Sequence, residues 1–141
     1  MATSFLPERK KGKINGVEIK EFQIKGNQVR NIIGEVKKYQ NYVLNEEFDI
    51  VLNYAAQQWA TDALLPILDK IKAKRIFVPC GFSTLYDEKY QQYFKKMPDY
   101  LREYDWLVFH SYVYRDINFT KKFRIKNFSI IPNGADENEF L

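Results

Sequence analysis

Short apolar runs alternate along the chain with longer segments in which apolar residues recur every three or four positions. The short runs occupy residues 49–53, 75–78, 106–109 and 128–131. Continuous apolar runs of this length are typical of strands that are buried on both faces of a parallel sheet. In an earlier stretch, residues 16–24, apolar and polar residues alternate, but the apolar residues change from one face of the strand to the other partway along. This pattern predicts a bulged or edge strand.

The segments between these runs have helical periodicity. In residues 27–45 the apolar positions Ile32, Val36, Tyr39 and Val43 would lie on one side of a helix. Further helices are predicted at 61–71, at 88–97 and at about 113–123. Pro98 is expected to end the helix at 88–97, and a shorter helix should follow through Tyr104.

Strands separated by single helices predict parallel pairing through right-handed crossovers. The expected fold class is therefore α/β, a Rossmann-like parallel sheet with helices on both faces. In such sheets a ligand binds outside the carboxyl ends of the strands. This rule selects residues 53–61, 79–83, 110–112 and 132–134 as the stretches from which a site would be built.

Candidate binding residues in these stretches combine aromatic faces with hydroxyl, amide and backbone N–H groups, as a sugar-binding site would. They are Tyr54, Gln57, Trp59, Gly81, Phe82, Ser83, Ser111, Asn133 and Gly134. Turn formation and helix capping explain Ser83 and Ser111 equally well, and simple packing is the alternative for Tyr54, Gln57 and Trp59.

Composition agrees with one folded domain. The chain has 141 residues, 45% hydrophobic and 28% charged, which suffices for a single core. One cysteine permits no internal disulfide and fits a reducing compartment. No apolar run approaches the roughly 20 residues that a membrane span requires, so a cytoplasmic location is expected.

The net charge is +4, and the basic residues come in small groups. Several groups fall where helices should end, which suits the negative pole of the helix dipole. Attraction to a phosphate-bearing ligand, or peripheral association with an anionic membrane surface, is the alternative.

Three further residues carry potential chemistry. Cys80 is expected to be a small buried residue, because no histidine lies near it in the sequence. His110 follows a strand but has no cysteine or carboxylate cluster beside it, so no metal site is predicted. Arg115 and Asp116 are expected to form a local surface ion pair.

The end of the chain and several upstream segments resemble a known family. Residues 128–141 read as a buried strand, a Pro132-Asn133-Gly134 turn and the start of a helix capped by Asp136. This segment is similar to the one that joins the two domains of family-4 retaining glycosyltransferases of the GT-B fold. The resemblance extends over residues 48–140, through Phe-Asp-Ile-Val, Pro-Cys-Gly-Phe-Ser and Tyr-Asp-Trp-Leu-Val-Phe-His-Ser.

The resemblance implies that residues 1–134 are part of an N-terminal, acceptor-side domain and that 135–141 begin the interdomain linker. The C-terminal domain, which would bind the nucleotide sugar, is expected to be absent. So are the first strand and glycine-rich loop. The acceptor would be a carbohydrate or lipid-linked sugar, with no cofactor and no metal. Many relatives have a histidine where this chain has Cys80, so no catalytic residue is assigned.

Because half of the implied site is missing, the chain by itself is expected to have no transferase activity. Two other classes stay open. A basic nucleic-acid-binding module is suggested by residues 121–128, where cations alternate with aromatics, although no nucleic-acid signature appears and no nucleic acid is expected. The second open class is a flavodoxin-like or other small-ligand domain. The sequence has no Gly-x-Gly-x-x-Gly motif, which counts against a dinucleotide site.

Overall fold

The computed structural model describes residues 1–9 and 12–136. Its strands are β1 (Ala2–Ser4), β2 (Lys13–Ile14), β3 (Val17–Glu18), β4 (Lys20–Phe22), β5 (Ile24–Lys25), β6 (Ile33–Gly34), β7 (Ile50–Tyr54), β8 (Lys74–Val78), β9 (Trp106–Phe109) and β10 (Phe128–Ile130). Its α-helices are α1 (Val36–Asn45), α2 (Trp59–Asp62), α3 (Gln91–Glu103) and α4 (Arg115–Lys122), and short 3-10 helices span Leu65–Lys70 and Glu88–Tyr90.

The centre of the molecule is a four-stranded sheet with the order β10-β9-β8-β7. Every pair in it is parallel, so consecutive strands are neighbours and a helical segment returns the chain between them. The predicted α/β class with a parallel, Rossmann-like sheet is confirmed. All four predicted strands are present, with ends shifted by a residue at most.

The helices cover one face of this sheet. Buried side chains from helical segments form one cluster with Phe77, Leu107 and Phe109 of the strands. The opposite face, with Ile50 and Leu52 of β7, is exposed. The expectation of helices on both faces is therefore corrected for the described residues, because the helices between the strands all contribute to the same core cluster.

The region before β7 is built from short pairs rather than one strand. β1 pairs parallel with β4, while β2 with β3 and β5 with β6 form antiparallel pairs. Asn15 and Gly16 connect β2 to β3 with φ of 48° and 81°, as a two-residue hairpin turn requires. The predicted continuous strand over 16–24 is thus divided.

Helix α1 begins at Val36, nine residues after the predicted start at Asn27. Gly34 explains the difference, because it lies in β6 with φ of 110° and pairs with Ile24. A Cβ atom there would lie 1.8 Å from the carbonyl oxygen of Gln23. The glycine permits this close strand pairing, which helical periodicity alone does not reveal.

Proline positions account for two further differences. Helix α3 continues through Pro98, so the predicted break there is wrong. Pro98 is itself buried, and Phe94, Met97 and Leu101 of α3 are buried with it. Each such side chain contributes about 1.5–3 kcal/mol, which together exceeds the roughly 3 kcal/mol cost of an internal proline. The helix predicted at 61–71 splits, since a 3-10 helix starts beside Pro66.

One expectation from the sequence falls outside the described residues, and another concerns the described helices. The helix that Asp136 would cap falls on residues 137–141, which lie outside the described residues. Among the helices that are described, none has the length and apolar character needed to cross a bilayer.

Candidate functional site

A cleft runs along the carboxyl edge of the four-stranded sheet. It consists of two adjoining cavities of about 550 Å³ and 310 Å³, which share Tyr54, Cys80 and Gly81 as lining residues. These volumes are in the range of small-molecule sites. The cleft is therefore at the edge where ligands bind in open α/β sheets.

The loop after β7 forms one wall in an unusual backbone conformation. Ala55 and Gln57 have φ of 66° and 62°, a region that costs free energy for residues other than glycine. The Thr61 hydroxyl donates to the Ala55 carbonyl at 2.7 Å, and the Gln57 N–H donates to the Tyr93 hydroxyl at 3.2 Å. These bonds hold the loop in place.

A buried carboxylate supports the same loop from below. Asp62 accepts hydrogen bonds from the Tyr93 hydroxyl at 2.8 Å and from the Gln28 N–H at 3.0 Å. Burial raises the pKa of Asp62, and burial together with the Asp62 charge raises the pKa of Tyr93. Tyr93 consequently remains a hydroxyl donor, and the wall is anchored to helix α3.

The loop after β8 forms the floor. Cys80 and Gly81 have φ of 58° and 82°. The Gly81 N–H donates to the Asp116 carboxylate at 2.7 Å, and a Cβ atom on Gly81 would lie 2.5 Å from the Tyr114 ring. Glycine is thus required both for the conformation and for the packing of Tyr114. Asp116, at the start of α4, also accepts from the Ile117 N–H.

The end of β9 brings a histidine into the cleft. His110 Nδ1 lies 3.0 Å from the carbonyl oxygen of Ile131, and its Nε2 lies 3.8 Å from Cys80 Sγ. The Tyr54 ring is close to the imidazole, with centroids 6.2 Å apart. A hydrogen bond with Cys80 raises the pKa of Tyr54.

Most of the predicted binding residues come together here. The larger cavity is lined by Tyr54, Gln57, Gly81 and Ser83, and the smaller one by Tyr54, Gly81, Ser111 and Asn133.

The other three predicted residues lie elsewhere. The Trp59 indole donates to the Ser4 hydroxyl at 2.8 Å and packs edge-on against Tyr39. Phe82 is fully buried in the core. Gly134 is not among the residues that line either cavity, although its neighbour Asn133 is.

The sequence did not reveal several residues of the cleft. Cys80 is exposed rather than buried, which corrects the prediction. Asp116 is buried and accepts a hydrogen bond from the Gly81 N–H, while Arg115 donates to the Ser83 carbonyl at 2.6 Å. The prediction that Arg115 and Asp116 form a surface ion pair is therefore wrong. These partners are about 30 residues apart, and only the position of each at a strand's carboxyl end signals that they meet.

The cleft also contains polar groups from the segment before α1. Asn27 donates to the Gln57 carbonyl at 3.2 Å, and Arg30 lines the larger cavity. Within the described residues there is no group of three His, Cys, Asp or Glu side chains that could hold a metal ion.

Comparison with known proteins does not extend this picture. No family model matches the chain, and neither a curated protein nor a solved structure matches it.

Proposed function

We propose that this chain provides the acceptor-binding wall of a glycosyltransferase that takes its sugar from a nucleotide-sugar donor. The observation that carries the proposal is the convergence of Tyr54, Gln57, Ser83 and Ser111, from three separate strand ends, on one cleft. The resemblance to family-4 enzymes of the GT-B fold supplies the reaction class. The donor would be bound by a second domain of a parent enzyme.

The chemistry of the cleft suits a polyhydroxylated ligand. Gln57 donates to the Thr84 hydroxyl and accepts from the Ser83 hydroxyl at 3.4 Å. Hydroxyl and amide groups of this kind can exchange their partners for sugar hydroxyls with little change in hydrogen-bond number. Tyr54 is 58% exposed and offers a ring face against which a sugar could pack.

The cleft is suited to binding more than to proton transfer between carboxylates. Asp116, a carboxylate in its lining, is buried and accepts the Gly81 and Ile117 N–H groups. A carboxylate so engaged holds the loop and is poorly placed to act on a ligand. This agrees with a wall that positions an acceptor while the donor's leaving group is handled elsewhere.

The acceptor site can be tested on the chain as it is. Neutral mono- and disaccharides would be titrated into isotopically labelled protein and followed by amide NMR. We expect shifts at Gln57, Ser83 and Ser111, and weaker binding by about tenfold in Gln57→Ala, the effect of losing roughly 1.4 kcal/mol of hydrogen bonding. Gln92→Ala, an exposed glutamine on α3, is the matched control. Shifts confined to other surfaces would reject the site.

The nucleic-acid alternative has less support from the side chains. Phe123 packs against Phe119 with centroids 4.8 Å apart, and Phe128 packs against Phe109 at 5.5 Å. Aromatics engaged in the core cannot serve as a stacking platform for bases. Salt-dependent binding of single-stranded oligonucleotides would reverse this preference.

A further inference from the structure

The single cysteine and the single histidine of this chain meet in the cleft. They are 30 residues apart in sequence, yet Cys80 Sγ lies 3.8 Å from His110 Nε2. Cys80 is exposed and lines both cavities, and His110 lines the smaller one. A thiol and an imidazole at this separation, open to small molecules, form a nucleophile and base pair.

The orientation of the imidazole is determined by a third group. The carbonyl oxygen of Ile131, 3.0 Å from His110 Nδ1, can only accept a hydrogen bond. The proton of the neutral ring is therefore on Nδ1, and the lone pair of Nε2 faces the sulfur. The carbonyl belongs to the backbone just after β10, and the Ile131 N–H bonds to Phe109 at 2.8 Å, so this third group is rigid.

Two further groups lie beside the sulfur: the Tyr54 hydroxyl and the Val78 carbonyl, to which the Cys80 thiol donates at 3.5 Å. The hydrogen bond and the charge of Cys80 raise the pKa of Tyr54, so the phenol stays protonated beside the sulfur. Tyr114 and Asp116 are the other titratable groups around the smaller cavity, and Arg30 and Tyr90 lie across the larger one. The Asp116 carboxylate is turned to the Gly81 N–H rather than to the sulfur.

The backbone presents the thiol to the cleft. Cys80 has φ of 58°, and Gly81 after it has φ of 82°. The neighbouring Pro79 carbonyl accepts from the Ala56 N–H at 3.0 Å, which ties this loop to the loop after β7. A residue held in a sparsely populated conformation by several contacts is typical of functional positions.

We propose that Cys80 is a reactive thiol that exchanges with low-molecular-weight disulfides in the cleft, with His110 as its base. His110 Nε2 takes the thiol proton, and the thiolate attacks one sulfur of the disulfide. The disulfide bond breaks as a new one forms to Cys80, and the released thiolate takes the proton back from His110. The products are one mixed disulfide and one free thiol.

The adduct would occupy the space shared by the two cavities, because Cys80 lines both. Formation of the mixed disulfide would therefore close the acceptor site, and a reducing thiol would reopen it. This regulatory consequence depends on the proposed function, whereas the reactivity of Cys80 does not.

Glutathione disulfide is the probe, and intact mass measures adduct formation against pH. We expect the native chain at pH 7 to react at least about tenfold faster than His110→Gln, a modest share of what a positioned base contributes. The difference should close in alkali, where a thiol ionises unaided. Tyr54→Phe should slow the reaction about threefold, and Tyr112→Phe, an exposed tyrosine, should not.

Two references make the result decisive. Cys80→Ser must give no adduct, since the chain has no other cysteine. The chain unfolded in urea gives the rate of an unassisted Cys80 thiol. Equal rates at pH 7 for the native chain, His110→Gln and the unfolded chain would overturn the proposal, and so would a loss in His110→Gln that is the same at every pH.

A sugar that binds the cleft should protect Cys80 from the disulfide. If no sugar binds while the adduct still forms quickly, the proposed function fails and the reactive thiol stands. If sugar binds but the thiol reacts no faster than in the unfolded chain, the proposed function stands and the reactive thiol is rejected.

Discussion

The two faces of the central sheet both carry apolar side chains, but they differ in how far these side chains are exposed. On β7, Leu52 is 55% exposed, whereas Leu107 on the opposite face of β9 is 0% exposed. Ile50, Leu52 and Tyr54 point to one side, together with Ile76 and Trp106 through the strand register. We name this side the open face, and the side of Phe77, Leu107 and Phe109 the covered face.

The covered face is held by aromatic packing and by one buried polar pair. Phe77 stacks on Tyr104 with ring centroids 4.9 Å apart. The Tyr104 hydroxyl donates to Asn53 Oδ1 at 2.9 Å, and both residues are buried. Burial raises the pKa of Tyr104, so it remains a donor. Apolar residues on both sides of a strand therefore do not by themselves reveal which side the helices cover.

The largest contrast is expected between two adjacent residues of β8. Phe77→Ala should destabilise the fold by about 3–5 kcal/mol, because it leaves a cavity in the covered face. Ile76→Ala, on the open face, should cost about 1 kcal/mol or less, since the side chain is only partly buried there. Urea unfolding followed by fluorescence measures both. Equal losses would show that the open face is packed in solution.

The buried polar pair should give a smaller but distinct effect. Tyr104→Phe removes the donor to Asn53 and leaves an unsatisfied oxygen in the covered face, at a cost of about 1–3 kcal/mol. Tyr54→Phe removes a hydroxyl from the open face and should change the free energy of unfolding by less than about 0.5 kcal/mol. A cost for Tyr54→Phe as large as that for Tyr104→Phe would contradict the comparison.

Acid should weaken one edge of the covered face. Asp105 accepts from the Arg75 N–H at 2.9 Å, and this bond together with Lys74 and Arg75 lowers its pKa to about 2. A carboxylate with a depressed pKa stabilises the fold above its ordinary pKa, and this contribution is lost as pH falls from about 4 to 2.

The Asp105 carboxylate is partly solvated, so screening limits the effect to about 1 kcal/mol. Asp105→Asn should flatten the fall in stability between pH 4 and pH 2, measured by thermal unfolding. Asp99→Asn, at an exposed ion pair with Arg102, is the matched control and should leave the slope unchanged.

The smallest effect is expected for a polar residue on the open face. Leu52→Ser should change the free energy of unfolding by less than about 0.5 kcal/mol, because little buried apolar area is lost. Leu107→Ser, on the covered face, should unfold the protein at room temperature or cost more than about 3 kcal/mol. Circular dichroism and urea midpoints distinguish the two outcomes.

Sequence patterns predicted elements best where apolar runs were short and bounded. The four parallel strands were predicted within a residue at each end, because each run is ended by proline, polar residues or a turn. Helix boundaries were less accurate. Gly34 diverts the chain into a strand pair before α1, and Pro98 continues inside α3 because the helix is packed along its length.

The sequence predicted the position of the cleft more accurately than the side chains that line it. Tyr54, Gln57 and Ser111 were predicted from the rule that ligands bind at the carboxyl ends of parallel strands, and they line the cleft. Trp59 and Phe82 follow the same rule, yet they pack away from the cleft. The direction of a side chain in a loop depends on positive φ angles and on partners that no local pattern reports.

The sequence by itself determined the α/β class, the four parallel strands and the edge at which the cleft lies, because strand and helix periodicities are local properties of the chain. Only the tertiary structure decided which face of the sheet is covered and that Cys80 meets His110 across 30 residues. Both depend on how separate segments pack against one another, and that is set by the sum of many weak contacts rather than by the residues of one segment.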